Sequence, residues 1–263
     1  MIMRPSVFVT FVATILAGSL DIARGTMQLA ARSPARVYGK CTVPNSVALT
    51  FDDGPYVYLN DLVTLLNRES VKGTFFFNGN NWACIYNPSL TDSINLAYHS
   101  GHQIASHTWG HKRMTNLTWD KMHDEMWRVE QALLRILGVS PAFMRPPYGE
   151  YNPTLLEAAS MRNQSIVNWD FDSEDGKSAT VVRQKALYDE AIARRPSTIL
   201  SLQHEVHNTS VYETLPYAIR KLKAAGYKFL TVAECLGGLP PYGHVGKPEV
   251  RNANWTCNQA LLI

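Results

Sequence analysis

The sequence predicts an α/β fold: a single domain on a largely parallel sheet, either open or closed into a barrel. Three observations carry that expectation. Short apolar runs suited to buried strands alternate with stretches of helical period, polar clusters follow five of those runs, and no repeat, low-complexity tract or linker divides the 263 residues. With 46% hydrophobic and 18% charged residues, a chain of this length buries one large core.

The first strand is Ser46 to Phe51, whose β-branched and aromatic residues suit burial. Asp52-Asp53-Gly54-Pro55 ends it in two adjacent carboxylates and a turn. Helical spacing then predicts Leu59 to Arg68, followed by a strand at Thr74 to Phe77. A helix over Leu90 to His99 leads to the strand His102 to Ala105, and a longer one over Thr118 to Leu137 leads to Ala142 to Met144. The pattern continues with Pro153 to Met161 before the strand Ser165 to Trp169, and Thr180 to Arg194 before Thr198 to Gln203. Tyr212 to Ala225 and the strand Lys228 to Val232 complete seven strands alternating with helices.

The ends of the chain read differently. Met1 to Leu20 carries one early cation, Arg4, and an apolar core from Val7 to Gly18, the pattern of a secretory signal peptide. Residues 21–40 form an aperiodic lead, and the tail 237–263 is expected to wrap the outside. Export makes Cys41, Cys84, Cys235 and Cys257 candidates for two disulfides, with three pairings open. Asn116, Asn163, Asn208 and Asn254 each begin an Asn-X-Ser/Thr acceptor for N-glycosylation. A net charge of +3 with no Lys/Arg-rich run argues against nucleic acid as a partner, and no membrane anchor signal is visible.

In strand-helix folds of this kind, sites form at the carboxyl ends of the strands. The polar clusters lie there: Asp52-Asp53, Ser106-His107-Thr108-Trp109-Gly110-His111, Arg145-Pro146-Pro147-Tyr148-Gly149, Trp169 to Asp175, and Gln203-His204. Neighbouring acids diverge along an extended chain, so Asp52 and Asp53 can divide cation binding from proton transfer. His107 and His111 are four apart, a spacing that puts both imidazoles on one side of a helical turn. With one carboxylate from the first strand they make a three-ligand site with open positions, suited first to zinc and also to cobalt or nickel. His204-Glu205-Val206-His207 is not a zincin, because its histidines are three apart rather than four; His204 alone also suits a core position, and His207 a loop.

Taken together and in this order, these segments resemble the polysaccharide deacetylases of the NodB-homology type, carbohydrate esterase family 4, and are most similar to those of the fungal chitin deacetylases. The resemblance implies a distorted (β/α)7 barrel over residues 41–236. It implies that Asp53, His107 and His111 hold one divalent cation, that Asp52 is the general base, and that Arg145 pairs with that base. His204 would be the acid that protonates the leaving amine. Its partner would be Asp175 or Asp172: the family's usual Asp-x-x-Asp-Trp ending is broken here by Gly176, and register favours Asp175. The Tyr148 backbone N–H would be an oxyanion donor, and Tyr148, Trp169 and Leu202 would wall the sugar subsite. Barrel closure would bring Cys41 to Cys235 and leave Cys84 for Cys257.

The activity implied is hydrolytic N-deacetylation of β-1,4-linked N-acetylglucosamine in chitin or its oligomers, by a secreted monomer. The alternatives are deacetylation of acetylxylan or peptidoglycan, and a non-catalytic chitin-binding module. No Gly-x-Ser-x-Gly elbow is present, so a serine esterase is not a serious rival.

Overall fold

The computed structural model describes residues 33–258, so the expected signal segment and the lead up to residue 32 lie outside the described residues. In chain order the elements are β1 (Val37–Tyr38), β2 (Ser46–Asp52), α1 (Leu59–Arg68), β3 (Gly73–Phe77), α2 (Pro88–His99), β4 (Gln103–Ser106) and α3 (Trp119–Leu137). They continue with β5 (Val139–Pro141), β6 (Phe143–Met144), α4 (Pro153–Met161), β7 (Ser165–Val167), β8 (Phe171–Asp172) and α5 (Val181–Ala193). The last are β9 (Thr198–His204), α6 (Leu215–Ala224), β10 (Lys228–Phe229), α7 (Val232–Cys235) and β11 (Tyr242–Val245).

Every expected strand is present in part, and two short additions bring the main sheet to nine strands. Its hydrogen-bonded order is β1-β7-β6-β4-β3-β2-β9-β8, with β10 also paired to β2, all parallel. This is the curled sheet of a distorted (β/α) barrel. The run from Ser165 to Asp172 touches both ends of the path: Phe143↔Ser165 pairs it with β6, while Phe171↔Ser201 pairs it with β9.

Side-chain alternation along β2 sorts the core into two layers. Val47, Leu49 and Phe51 join Phe75, Phe77, Leu62, Leu66 and Ile199 under the helices. Ala48 faces the other way, with Phe76, Ala105, Val167 and Leu200, inside the curl. The inward row of β2 is therefore Ala48, Thr50, Asp52, and its last member sits at the carboxyl rim. α1 buries Leu59, Leu62, Val63 and Leu66, the i, i+3, i+4, i+7 stripe that its period predicts.

Several elements differ from expectation, each for a local reason. The strand expected over Lys228 to Val232 stops at Phe229, because Thr231 caps α7 reciprocally with Glu234 and turns the chain inward. Residues 210–214 form a wide π turn before α6 begins at Leu215; Pro216, lacking an N–H, cannot extend a regular helix backwards. The lead contributes β1, and the tail contributes β11, which pairs antiparallel with β5. The disulfides are Cys41–Cys235 and Cys84–Cys257, with Cα separations of 5.1 and 5.8 Å. No helix among the described residues is long and apolar enough to cross a membrane.

Candidate active site

β2 and β9 lie in register with Asp52 opposite His204, so one strand pair brings an acid and an imidazole to the same rim. Asp52 points inward and is buried. Its Oδ1 accepts from Arg145 Nη1 at 2.8 Å, and the fully buried guanidinium also donates to Thr50 Oγ1 at 2.6 Å and to the carbonyls of Val167 (3.0 Å) and Asn168 (2.9 Å). Five N–H donors on a planar fork are thus almost all used, which fixes the face that Arg145 offers Asp52. The ring of Phe76 lies 4.2 Å below the guanidinium.

Asp53 leaves the strand with a left-handed backbone, φ 74°, and so turns aside from the inward row. Its Oδ1 lies 3.5 Å from His107 Nε2 and 3.2 Å from His111 Nε2. The two imidazoles converge, with centroids 5.0 Å apart, but not on a helical turn: residues 107–113 are irregular, and Thr108 and His111 have φ of 70° and 51°. Loop geometry, rather than helix period, brings them together. His107 Nδ1 is 2.7 Å from the Arg145 carbonyl. That oxygen only accepts, so Nδ1 carries the proton and the Nε2 lone pair is free.

The donor set fits a divalent cation. One ligand atom from each of Asp53, His107 and His111 lies within 4.8 Å of the others, and Asp53 Oδ1 is buried without a hydrogen-bond partner. A buried orphan carboxylate oxygen between two imidazole nitrogens is costly unless a cation satisfies it. Burial alone would raise the Asp53 carboxyl, but the approach and charge of His107, joined by His204 and His111, outweigh it and hold the group well below the usual carboxylate range. Burial and the neighbouring His107 lower His111, which favours the neutral, ligating imidazole.

His204 stands at the same rim, opposite Asp52 in the register of β2 and β9. Asp175 grips it twice: Oδ1 is 2.8 Å from His204 Nδ1, and Oδ2 accepts the His204 backbone N–H at 2.8 Å. Asp172 lies elsewhere, accepting from the Glu174 N–H at 2.7 Å and pairing with Lys177. Burial would lower the His204 imidazole; the Asp175 hydrogen bond and charge, with Asp52 and Asp53, push it up to about 9. Gly176 is required by this packing, since a Cβ there would lie 2.7 Å from His204 Cε1.

Tyr148 has φ 64° and an exposed ring beside His111. Trp169 is half-buried against Gly149, and Leu202 is buried in β9. The four sequon asparagines are all exposed.

Other contributors carry no motif of their own. Ser210 donates to Asp175 Oδ2 at 2.7 Å. The Asn78 side-chain amide bonds the carbonyls of His107 and Thr108 at 2.6 and 3.0 Å, while its N–H bonds Gly54 O at 2.7 Å, tying the turn after β2 to the histidine loop. Buried Glu205 accepts the Tyr56 N–H at 2.9 Å, and burial pushes its carboxyl up to about 8. Only the adjacency of Glu205 to His204 was available in the sequence as a signal; for Ser210 and Asn78 there was none.

Polysaccharide deacetylase is the family whose pattern matches residues 39–165. The chain is 38% identical over 197 residues to a chitin deacetylase of Pestalotiopsis sp, across 75% of this chain and 65% of that protein. It is 33% identical over 206 residues to the chitin deacetylase of Colletotrichum lindemuthianum, across 76% of this chain and 83% of that one. A solved chitin deacetylase from that fungus superposes with a TM-score of 0.76 at 31% identity, covering 80% of this chain and 96% of the other. The peptidoglycan-N-acetylglucosamine deacetylase PgdA of Listeria monocytogenes is 32% identical over 201 residues, across 75% of this chain and 40% of that protein.

Proposed function

This chain belongs to the polysaccharide deacetylase family, and from that premise we propose that it removes N-acetyl groups hydrolytically from β-1,4-linked N-acetylglucosamine in chitin or its oligomers, releasing acetate. One observation carries the proposal: an Asp-His-His cluster fit for a cation, a separately anchored Asp52, and a proton-holding His204 meet at one rim.

Asp53, His107 and His111 would hold the cation, and zinc suits these N/O donors, with cobalt or nickel as substitutes. When bound, it would make water more acidic and polarise the acetamide carbonyl. Asp52 takes the proton from the attacking water, aimed by its hydrogen bond from Arg145. His204 gives its proton to the departing amine nitrogen; with Nδ1 engaged by Asp175, the proton delivered is the one on Nε2. The Tyr148 backbone N–H donates to the developing oxyanion, and Tyr148, Trp169 and Leu202 wall the sugar. The two disulfides and four exposed sequons support a secreted, N-glycosylated protein.

Acetate release from N-acetylglucosamine oligomers, peptidoglycan fragments and acetylxylan tests the reading, with the oligomers expected to be the best substrates. Activity confined to peptidoglycan would favour the substrate class named for the Listeria relative. Binding of oligomers without acetate release, unchanged in Asp52→Asn, would leave a non-catalytic module.

A further inference from the structure

The two histidines of the cation cluster are held in different ways. His107 has partners of its own: its Nδ1 meets the Arg145 carbonyl, its backbone N–H donates to Phe77 O at 2.8 Å, and Asn78 bonds its carbonyl. No described residue hydrogen-bonds Nδ1 of His111, whose imidazole has Asp53 and the rings of His107 and Tyr148 as neighbours. Its φ of 51° is in the left-handed region, which a residue with a Cβ keeps only where other contacts hold the chain. The place of His111 is therefore set through the backbone on either side of it.

One buried side chain reaches both flanks. Glu125, 1% exposed on α3, accepts the Gly110 N–H on Oε2 at 2.7 Å, and its Oε1 forms an ion pair with Lys112 Nζ at 2.8 Å. Gly110 and Lys112 are the residues immediately before and after His111. A carboxylate taken out of water needs partners close by, and among the described residues both of these come from the histidine loop. Three positions along the same face of α3, Arg128 lies over the Trp109 ring at 3.9 Å, so the helix meets the loop at a third residue. The other buried acid of α3, Glu130, bonds Arg162 and Gln164 instead and takes no part in the loop.

We propose that Glu125 is a positioning residue for the metal centre: by fixing Gly110 and Lys112 from α3, it sets where the His111 imidazole stands relative to Asp53 and His107. The inference rests on the reading of His111 as a ligand. Its consequence is a zinc affinity that depends on an acid outside the ligand set.

The test is calorimetric titration of the zinc-free full chain with zinc, alongside urea midpoints measured without metal. Glu125→Ala should bind zinc about 10–100-fold more weakly, the usual effect of removing a residue that orients a ligand. Glu125→Gln keeps an oxygen for the Gly110 N–H and should lose less. Glu130→Gln removes a buried charge from the same helix, so it should lower the urea midpoint while leaving zinc affinity within about twofold. Equal losses of zinc affinity in Glu125→Gln and Glu130→Gln would reduce the effect to a general loosening of α3 and overturn the role. A Glu125→Ala variant that binds zinc like the unaltered protein overturns it as well. If Glu125→Ala does not fold, Glu125→Gln decides: zinc binding at least about threefold weaker supports the role, and an unchanged affinity overturns it. His111→Ala separates the two readings. Affinity lost there but kept in Glu125→Ala removes the positioning role alone, whereas affinity kept in both removes the ligand reading with it.

Discussion

Residue by residue, the site separates two acids that share one dipeptide. Asp52 completes an inward strand row and is claimed by Arg145, whereas Asp53 turns through φ 74° and meets the histidines. Asp52→Asn is therefore expected to lower kcat about 10²–10⁴-fold while zinc affinity, read by calorimetry, stays near that of the unaltered protein. His111→Ala is the complement and should lose zinc affinity; comparable zinc binding in this variant would refute its ligand role. The acid gives a pH prediction with a definite sign. His204, raised to about 9, is protonated below that value, and the acid role proposed for it is lost as pH rises through it. Asp175→Asn removes the charge that raises it, so the alkaline limb of kcat/KM should move to lower pH by about one unit or more. An unmoved limb would show that some other group sets it.

At the scale of elements, strand ends and the turns after them place the chemistry. The turn after β2 has its Gly54 pressed against Glu205: a Cβ at Gly54 would lie 1.9 Å from Glu205 Oε1. Gly54→Ala should therefore destabilise the fold by ~1–3 kcal/mol, measured as a lower urea midpoint, and should weaken zinc binding because Asp53 adjoins the displaced turn. A variant with unchanged midpoint and zinc affinity would show that the carboxyl moves away freely. The periodic elements were legible because burial imposes the pattern: α1 and α4 have the expected limits, Leu59–Arg68 and Pro153–Met161. The two-residue strands β1 and β8 were not, since so short a run carries no period and exists only because a neighbouring strand offers hydrogen bonds. The helical-turn reading of His107 and His111 failed for the opposite reason: a spacing of four is compatible with helix but does not require it, and the positive φ angles of Thr108 and His111 belong to an irregular loop that Asn78 holds by the carbonyls of His107 and Thr108.

Across the whole molecule, the disulfides tie terminal segments to the barrel. Cys41 precedes β2 and Cys235 ends α7, joining positions 194 residues apart beside the core inside the curl. Replacing both with Ala is expected to cost ~2–5 kcal/mol, read from the urea midpoint under non-reducing conditions, with zinc affinity retained because Cys41 lies before β2 whereas the proposed ligands Asp53, His107 and His111 follow the far ends of β2 and β4. Loss of zinc affinity in a still-folded variant would contradict that separation. The amino-acid sequence by itself determined which residues end the strands, because alternation and turn chemistry are local properties, and the rule that sites gather at strand ends then pointed to the clusters that hold Asp52, Asp53, His107, His111, Arg145, Asp175 and His204. Only the tertiary structure decided that Asp175 rather than Asp172 meets His204, that Arg145 is sealed beneath Asp52, and that Ser210, Asn78 and Glu205 brace the site. Those contacts join residues tens to more than a hundred positions apart, and their distances are set by sheet register and closure, which no local pattern encodes.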